Sequence, residues 1–124
     1  MKLTFTNGEI YQMAYMLNQS FDNIDIRIPA KANFYIQKNA GVIAAAAQEI
    51  EALRHEVFQH YGEPNEDGSS YHIAEDKRDA ANKELEELFY ITQELEIYQF
   101  SIDALGDLEF TQSQMQAIMF MIKD

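Results

Sequence analysis

The sequence predicts a mostly helical α+β protein in which a long antiparallel helical hairpin stands on a small base of short strands and two further helices. Ile36, Ile43, Ile50 and Val57 fall on one seven-residue repeat inside a stretch, 30–61, that contains no proline. Four such steps with β-branched residues argue a long helix packed lengthwise against a partner, as in a coiled coil. A second series, Ala81, Leu85, Leu88, Thr92 and Leu95, is spaced four, three, four and three and complements the first. Two matched stripes joined by a short run of turn formers fold back on each other. Short alternating stretches flank the hairpin and predict strands.

Each element has a local reason. Leu3 and Phe5 alternate with polar neighbours, so 2–6 reads as a strand. Thr6-Asn7-Gly8-Glu9 fits a capping box and opens a helix over 7–19, with Ile10, Met13, Ala14 and Leu17 as its apolar stripe. Ile24-Asp25-Ile26-Arg27-Ile28 alternates and stops at Pro29, which predicts an edge strand over 24–28. The long helix spans 30–61, and Asn39, Ala46, Leu53 and His60 are the companions of its main repeat. Alanines at 40, 44, 45 and 47 let a neighbouring helix approach closely. Gly62, Pro64, Asn65, Asp67 and Gly68 form an exposed connection. The second hairpin helix is expected over 75–96, with Leu85, Leu88 and Leu95 facing Ile43, Ile50, Leu53 and Val57. Tyr98, Phe100 and Ile102 alternate with polar residues and predict a strand over 97–102 that pairs with Leu3–Phe5. Thr111-Gln112-Ser113-Gln114 caps a last helix over 111–122, whose Met115, Ile118, Met119 and Ile122 face the core while Phe120 and Met121 lie off the stripe.

The chain has 124 residues, enough for one domain and too few for two ordinary ones. The hairpin takes 30–96 and the base takes 1–29 and 97–124. Acidic residues number 21 against 9 basic ones, a net charge of -12, so wrapping a polyanionic duplex is disfavoured. Residues 63–96 hold eleven acids against Lys77, Arg78 and Lys83 and so carry two thirds of that excess. The absence of cysteine excludes disulfides, thiolate metal sites and a cysteine nucleophile. No leader-like apolar segment opens the sequence and no 18-residue apolar run exists, so a soluble, cytosolic protein is expected.

Candidate chemistry is sparse. His55 and His60 are five residues apart, about 140° round a helix, whereas a zinc-protease helix needs histidines four apart on one face. The loop Glu63–Gly68 puts acids near calcium-ligand positions, but the twelfth position is Ala74, with Glu75 one residue late. Neither is expected to bind a metal, and no cofactor is expected. There is no glycine-rich phosphate loop, no G-x-S-x-G and no serine placed beside a histidine and an acid, so an enzyme is not expected. Eight Phe and seven Tyr without Trp are more suggestive, because exposed aromatics beside acids anchor protein partners. The candidate partner-binding residues are Glu84, Glu87 and Glu94 on the acidic second helix and Tyr61, Tyr71 and Tyr90 near the helix ends.

Four stretches carry a resemblance. They are Leu3-Thr4-Phe5-Thr6-Asn7, Ala30-Lys31-Ala32-Asn33-Phe34 leading to Lys38-Asn39, the loop from Tyr61 to Gly68, and Leu108 through Ile122. In this order the chain resembles a family of small uncharacterised proteins encoded by tailed phages and prophages of Gram-positive bacteria. The resemblance implies an origin and a genomic context, and it carries over no activity and no functional residue.

Size, acidity and the lack of a catalytic constellation favour a non-enzymatic accessory protein that binds another protein, such as an acidic inhibitor of a host or defence factor. The expected partner is a basic nucleic-acid-binding host protein whose cleft a net-negative rod occupies in place of DNA. No direct nucleic-acid or membrane contact is expected. The alternative is a head or tail accessory subunit that forms homo-oligomers through its alanine-rich helix faces.

Overall fold

Alternation in the opening residues produces strand β1 (Lys2–Thr6), which runs directly into helix α1 (Asn7–Phe21). The computed structural model describes residues 1–21 and 26–123. The capping box forms as expected: Thr6 Oγ1 accepts the Glu9 amide at 3.0 Å, and Glu9 Oε1 accepts the Thr6 amide at 2.8 Å. Ile10 and Leu17 are buried, with Met13 and Ala14 half-buried beside them. Of the strand expected over 24–28, residues 24 and 25 lie outside the described ones. Ile26 to Ile28 lead into the next helix without strand pairing.

Helix α2 (Ala30–Tyr61) has the predicted bounds. Its 32 residues make a rod about 48 Å long at ~1.5 Å per residue. Ile36, Ile43, Ile50 and Val57 are all buried, as are the companions Asn39 and Ala46. The companions Leu53 and His60 are exposed instead. α1 runs antiparallel along the first two thirds of α2, with Leu17 and Phe21 near Ile36 and Ala40, and Tyr11 reaching Glu51.

The connection after α2 holds a small antiparallel ribbon, β2 (Gly62–Pro64) with β3 (Tyr71–Ile73). Glycine is required at its entrance, because a Cβ on Gly62 would stand 2.9 Å from the Phe58 carbonyl oxygen and 3.0 Å from that of His72. Helix α3 (Glu75–Tyr90) then returns antiparallel over the C-terminal half of α2, which makes the expected hairpin.

α3 ends six residues earlier than 96. Ile91 leaves the helix with extended backbone, and Thr92–Glu96 is strand β4, paired antiparallel with β1 in the register Leu3 to Leu95 and Phe5 to Gln93. Two causes converge. Ile91-Thr92 is a β-branched pair, costly in a helix and favourable in a strand. Asn7, itself buried, donates from Nδ2 to the Leu88 carbonyl (3.0 Å), donates its backbone amide to the Ile91 carbonyl (2.8 Å) and accepts from Gln93 Nε2 (2.7 Å). One residue thus ties the first turn of α1 to the end of α3 and to β4. Leu95 reaches the core from this strand, not from a helix.

The strand expected over 97–102 to pair with Leu3–Phe5 is displaced by β4. Only Phe100–Ser101 is extended there, as β5, and it pairs in parallel with β6 (Ile122–Lys123). Ile102–Leu105 is a 3-10 turn that leaves Ile102 exposed. Helix α4 (Gln112–Ile118) carries the expected capping box between Thr111 and Gln114 but is shorter than 111–122. It tightens to a 3-10 turn at Met119–Met121, which advances the face by more per residue than an α-helix does. Met121 is therefore buried and Met119 exposed, the reverse of the expected stripe.

One apolar core joins these pieces: Ile10, Leu17, Ile36, Ile43, Ala46, Ile50, Ile97, Phe100, Leu105, Ile118 and Met121 form one cluster. Among the described residues no helix is long and apolar enough to cross a membrane.

Candidate functional site

α1 covers one flank of the α2–α3 pair, where Tyr11 packs edge-on against Phe89 at 5.7 Å and its hydroxyl donates to Glu51. The flank that α1 leaves open is a groove of about 590 Å³. Its floor is Leu53 and Val57 from α2 with Leu88 and Ile91 from α3 and its C-terminal cap. Its edges are Glu56 and His60 on one side and Glu84 and Glu87 on the other. Leu53 is 47% exposed and Ile91 55% exposed, so the floor presents apolar surface to solvent.

The cause lies in where α3 stops. A helix continued past Tyr90 would lay another turn over Leu53, but the chain departs at Ile91 to pair with β1, so Leu53 and Ile91 face each other across uncovered space. The seam expected to set Ile43, Ile50, Leu53 and Val57 against Leu85, Leu88 and Leu95 therefore forms only in part: Ile43, Ile50 and Val57 are buried, but Leu53 is exposed, Leu85 borders the hollow on the α1 side and Leu95 stands on β4.

The Tyr61 hydroxyl donates to Glu84 Oε1 at 2.9 Å and holds that carboxylate at the groove edge. The same bond stabilises the protonated phenol and raises the Tyr61 pKa above the usual tyrosine value. Tyr11 is raised for the same first reason, its hydrogen bond to Glu51, with burial adding to it.

The six candidate residues separate. Glu84, Glu87 and Tyr61 come together around the groove. Tyr90 is 76% exposed and borders a neighbouring hollow with Lys83, Glu86, Glu87 and Ile91. Tyr71 sits on β3, edge-on to His55 at 5.3 Å. Glu94 belongs to β4, opposite Thr4, and so is not on the α3 acidic face where the sequence pattern put it. Leu53, Ile91 and Glu56 are the groove residues that pattern reasoning missed. A signal existed for Ile91, since Ile91, Leu95 and Ile97 share one parity while Thr92, Glu94 and Glu96 on the other are all polar, as in a half-buried strand.

His55 and His60 pack against different tyrosines, Tyr71 and Tyr61. Among the described residues no group of three His, Asp or Glu side chains is placed to hold a metal ion. In the loop, Asp67 accepts from the Ser69 amide and hydroxyl, which lowers its pKa and closes a turn around Gly68, where φ is +71°. No family model, curated protein or solved structure matches this chain.

Proposed function

We propose that this is a phage-encoded, non-enzymatic accessory protein that acts in the host cytoplasm by binding a basic protein. The observation that carries the reading is the α2–α3 groove, an exposed apolar floor edged by three glutamates on a chain of net charge -12. An apolar floor supplies affinity through buried area, and carboxylate edges select cationic partners and accelerate encounter. A nucleic-acid-binding host or defence factor fits that chemistry, with the acidic rod occupying the cleft that normally holds the phosphate backbone.

The test begins with capture of a basic protein from host lysate on the immobilised chain. Glu84→Gln with Glu87→Gln keeps shape while removing two edge charges, and it should slow association on the order of 3- to 10-fold at low salt. Glu94→Gln, on β4 and outside the groove lining, removes one charge as a control and should slow association less than the double variant does. Equal rates for all three proteins would make the groove edge an ordinary solvated surface.

A second reading, a head or tail accessory subunit, is favoured by one observation, the segregation of cations at the opposite end of α2.

A further inference from the structure

Between residues 26 and 48 every charged side chain is a cation, namely Arg27, Lys31 and Lys38, and all three are exposed. Lys31, Phe34 and Lys38 follow at steps of three and four, so they share one face of α2. Phe34 is 57% exposed there, and the Lys38 ammonium lies 5.6 Å from the centre of its ring. The Phe34 ring meets the Tyr35 ring edge-to-face at 5.7 Å, and the part of it left in water gains nothing from that packing. An aromatic anchor flanked by ammonium groups on a helix is the chemical counterpart of an apolar groove edged by carboxylates. Both halves of that match are present on this one chain.

We infer that the α2–α3 groove of one chain receives the Lys31–Lys38 face of a second copy, with Phe34 seated on Leu53 and Ile91 and the lysines beside Glu84 and Glu87. This contact rests on the charge segregation along α2 and is independent of any foreign partner. Phe34 and Leu53 are nineteen residues apart on α2, about 28 Å along the axis and about 100° around it. The two surfaces therefore face different directions, and each docking event leaves one groove and one Phe34 face free. A contact of this kind is heterologous and continues head to tail unless the rotation closes a ring. One aromatic anchor gives modest affinity, so association depends on concentration and weakens with salt.

Sedimentation velocity of the full chain over a concentration series tests this at low and high salt. The expected result is a weight-average mass that climbs with concentration at low salt and falls back at high salt. Phe34→Glu removes the anchor, and Leu53→Glu blocks the floor. Both positions are exposed, so circular dichroism should show unchanged folds. Each variant alone should stay at the mass of one chain. Mixed in equal amounts, they should form a two-chain species and nothing larger, since one supplies the groove and the other the anchor. Lys38→Glu should weaken wild-type association about tenfold by setting like charges together. A wild-type chain that remains monomeric throughout overturns the inference. So does either variant that associates like wild type, or a mixture that stays monomeric.

Discussion

Ile43→Ala is expected to cost about 2–5 kcal/mol of unfolding free energy, the range for deleting most of a fully buried aliphatic side chain from a packed interior. Ile43 has no exposed surface, and it belongs to the core cluster that α2 shares with residues of α1 and α4. Two contributions combine: lost transfer free energy of three carbons, and a cavity that rigid helical neighbours do not collapse. Leu53→Ala, ten residues along the same helix, deletes a similar volume from a position already 47% exposed and should cost below about 1 kcal/mol. Denaturant melts of both variants check this. Equal losses would mean that Leu53 is covered, and the groove would then not exist as described.

Asn39→Ala should also destabilise the chain, for a polar reason. Asn39 is fully buried, its Nδ2 donates to the Tyr98 carbonyl at 2.8 Å, and its Oδ1 accepts the Tyr98 amide at 2.8 Å. The side-chain amide acts as a one-residue strand partner for the segment between β4 and β5. Truncation leaves the two part-buried backbone groups of Tyr98 without this partner and removes a fully buried side chain, at about 1–3 kcal/mol in all. Asn39→Asp separates the two bonds. An aspartate oxygen still accepts the Tyr98 amide, but its second oxygen meets the Tyr98 carbonyl and repels it. That variant should be unstable at neutral pH and recover on acidification, because the protonated acid can donate to the carbonyl. Its folded-state pKa is thus raised, so its stability is present at low pH and lost as pH rises. Melts at neutral and acidic pH decide it, and a variant insensitive to pH would contradict the pairing.

What could be read from the sequence was whatever depended on near neighbours. The bounds of α2 follow from Pro29, the seven-residue repeat and Gly62, and both capping boxes follow from residues three apart. The errors arise where a distant contact decided between two local patterns. Thr92 and Leu95 continue the helical period of Leu88, while Ile91, Leu95 and Ile97 share the parity of a strand; β1 and Asn7, more than 80 residues away, decided for the strand. The expected pairing of 97–102 failed for the same reason, because β4 already occupied β1. Met119 and Met121 exchanged roles because a 3-10 turn changed the period. The heptad placed Asn39 on the buried stripe of α2, but only the fold shows that its amide holds Tyr98 and not the second hairpin helix.

The candidate site inherits this pattern. Glu84 and Glu87 lie within one acidic helix and Tyr61 ends the other, so composition and position near a helix end found them. Leu53 and Ile91 are surface residues only because α3 stops, and that stop depends on β1. An apolar pair left open by a strand crossing is legible only once the fold is known.

The central claim, that the α2–α3 groove is the binding surface, is tested most directly by methyl NMR of the folded chain during titration with the captured basic partner. The floor consists of Leu53, Val57, Leu88 and Ile91, all methyl-bearing, and the buried Ile10 and Ile118 serve as internal references. The account predicts that the Leu53 and Ile91 signals shift in proportion to complex formed while those of Ile10 and Ile118 stay in place. Saturation of the complex with Leu53 and Ile91 unmoved, and shifts instead at the exposed Ile102 or Met119, would contradict it.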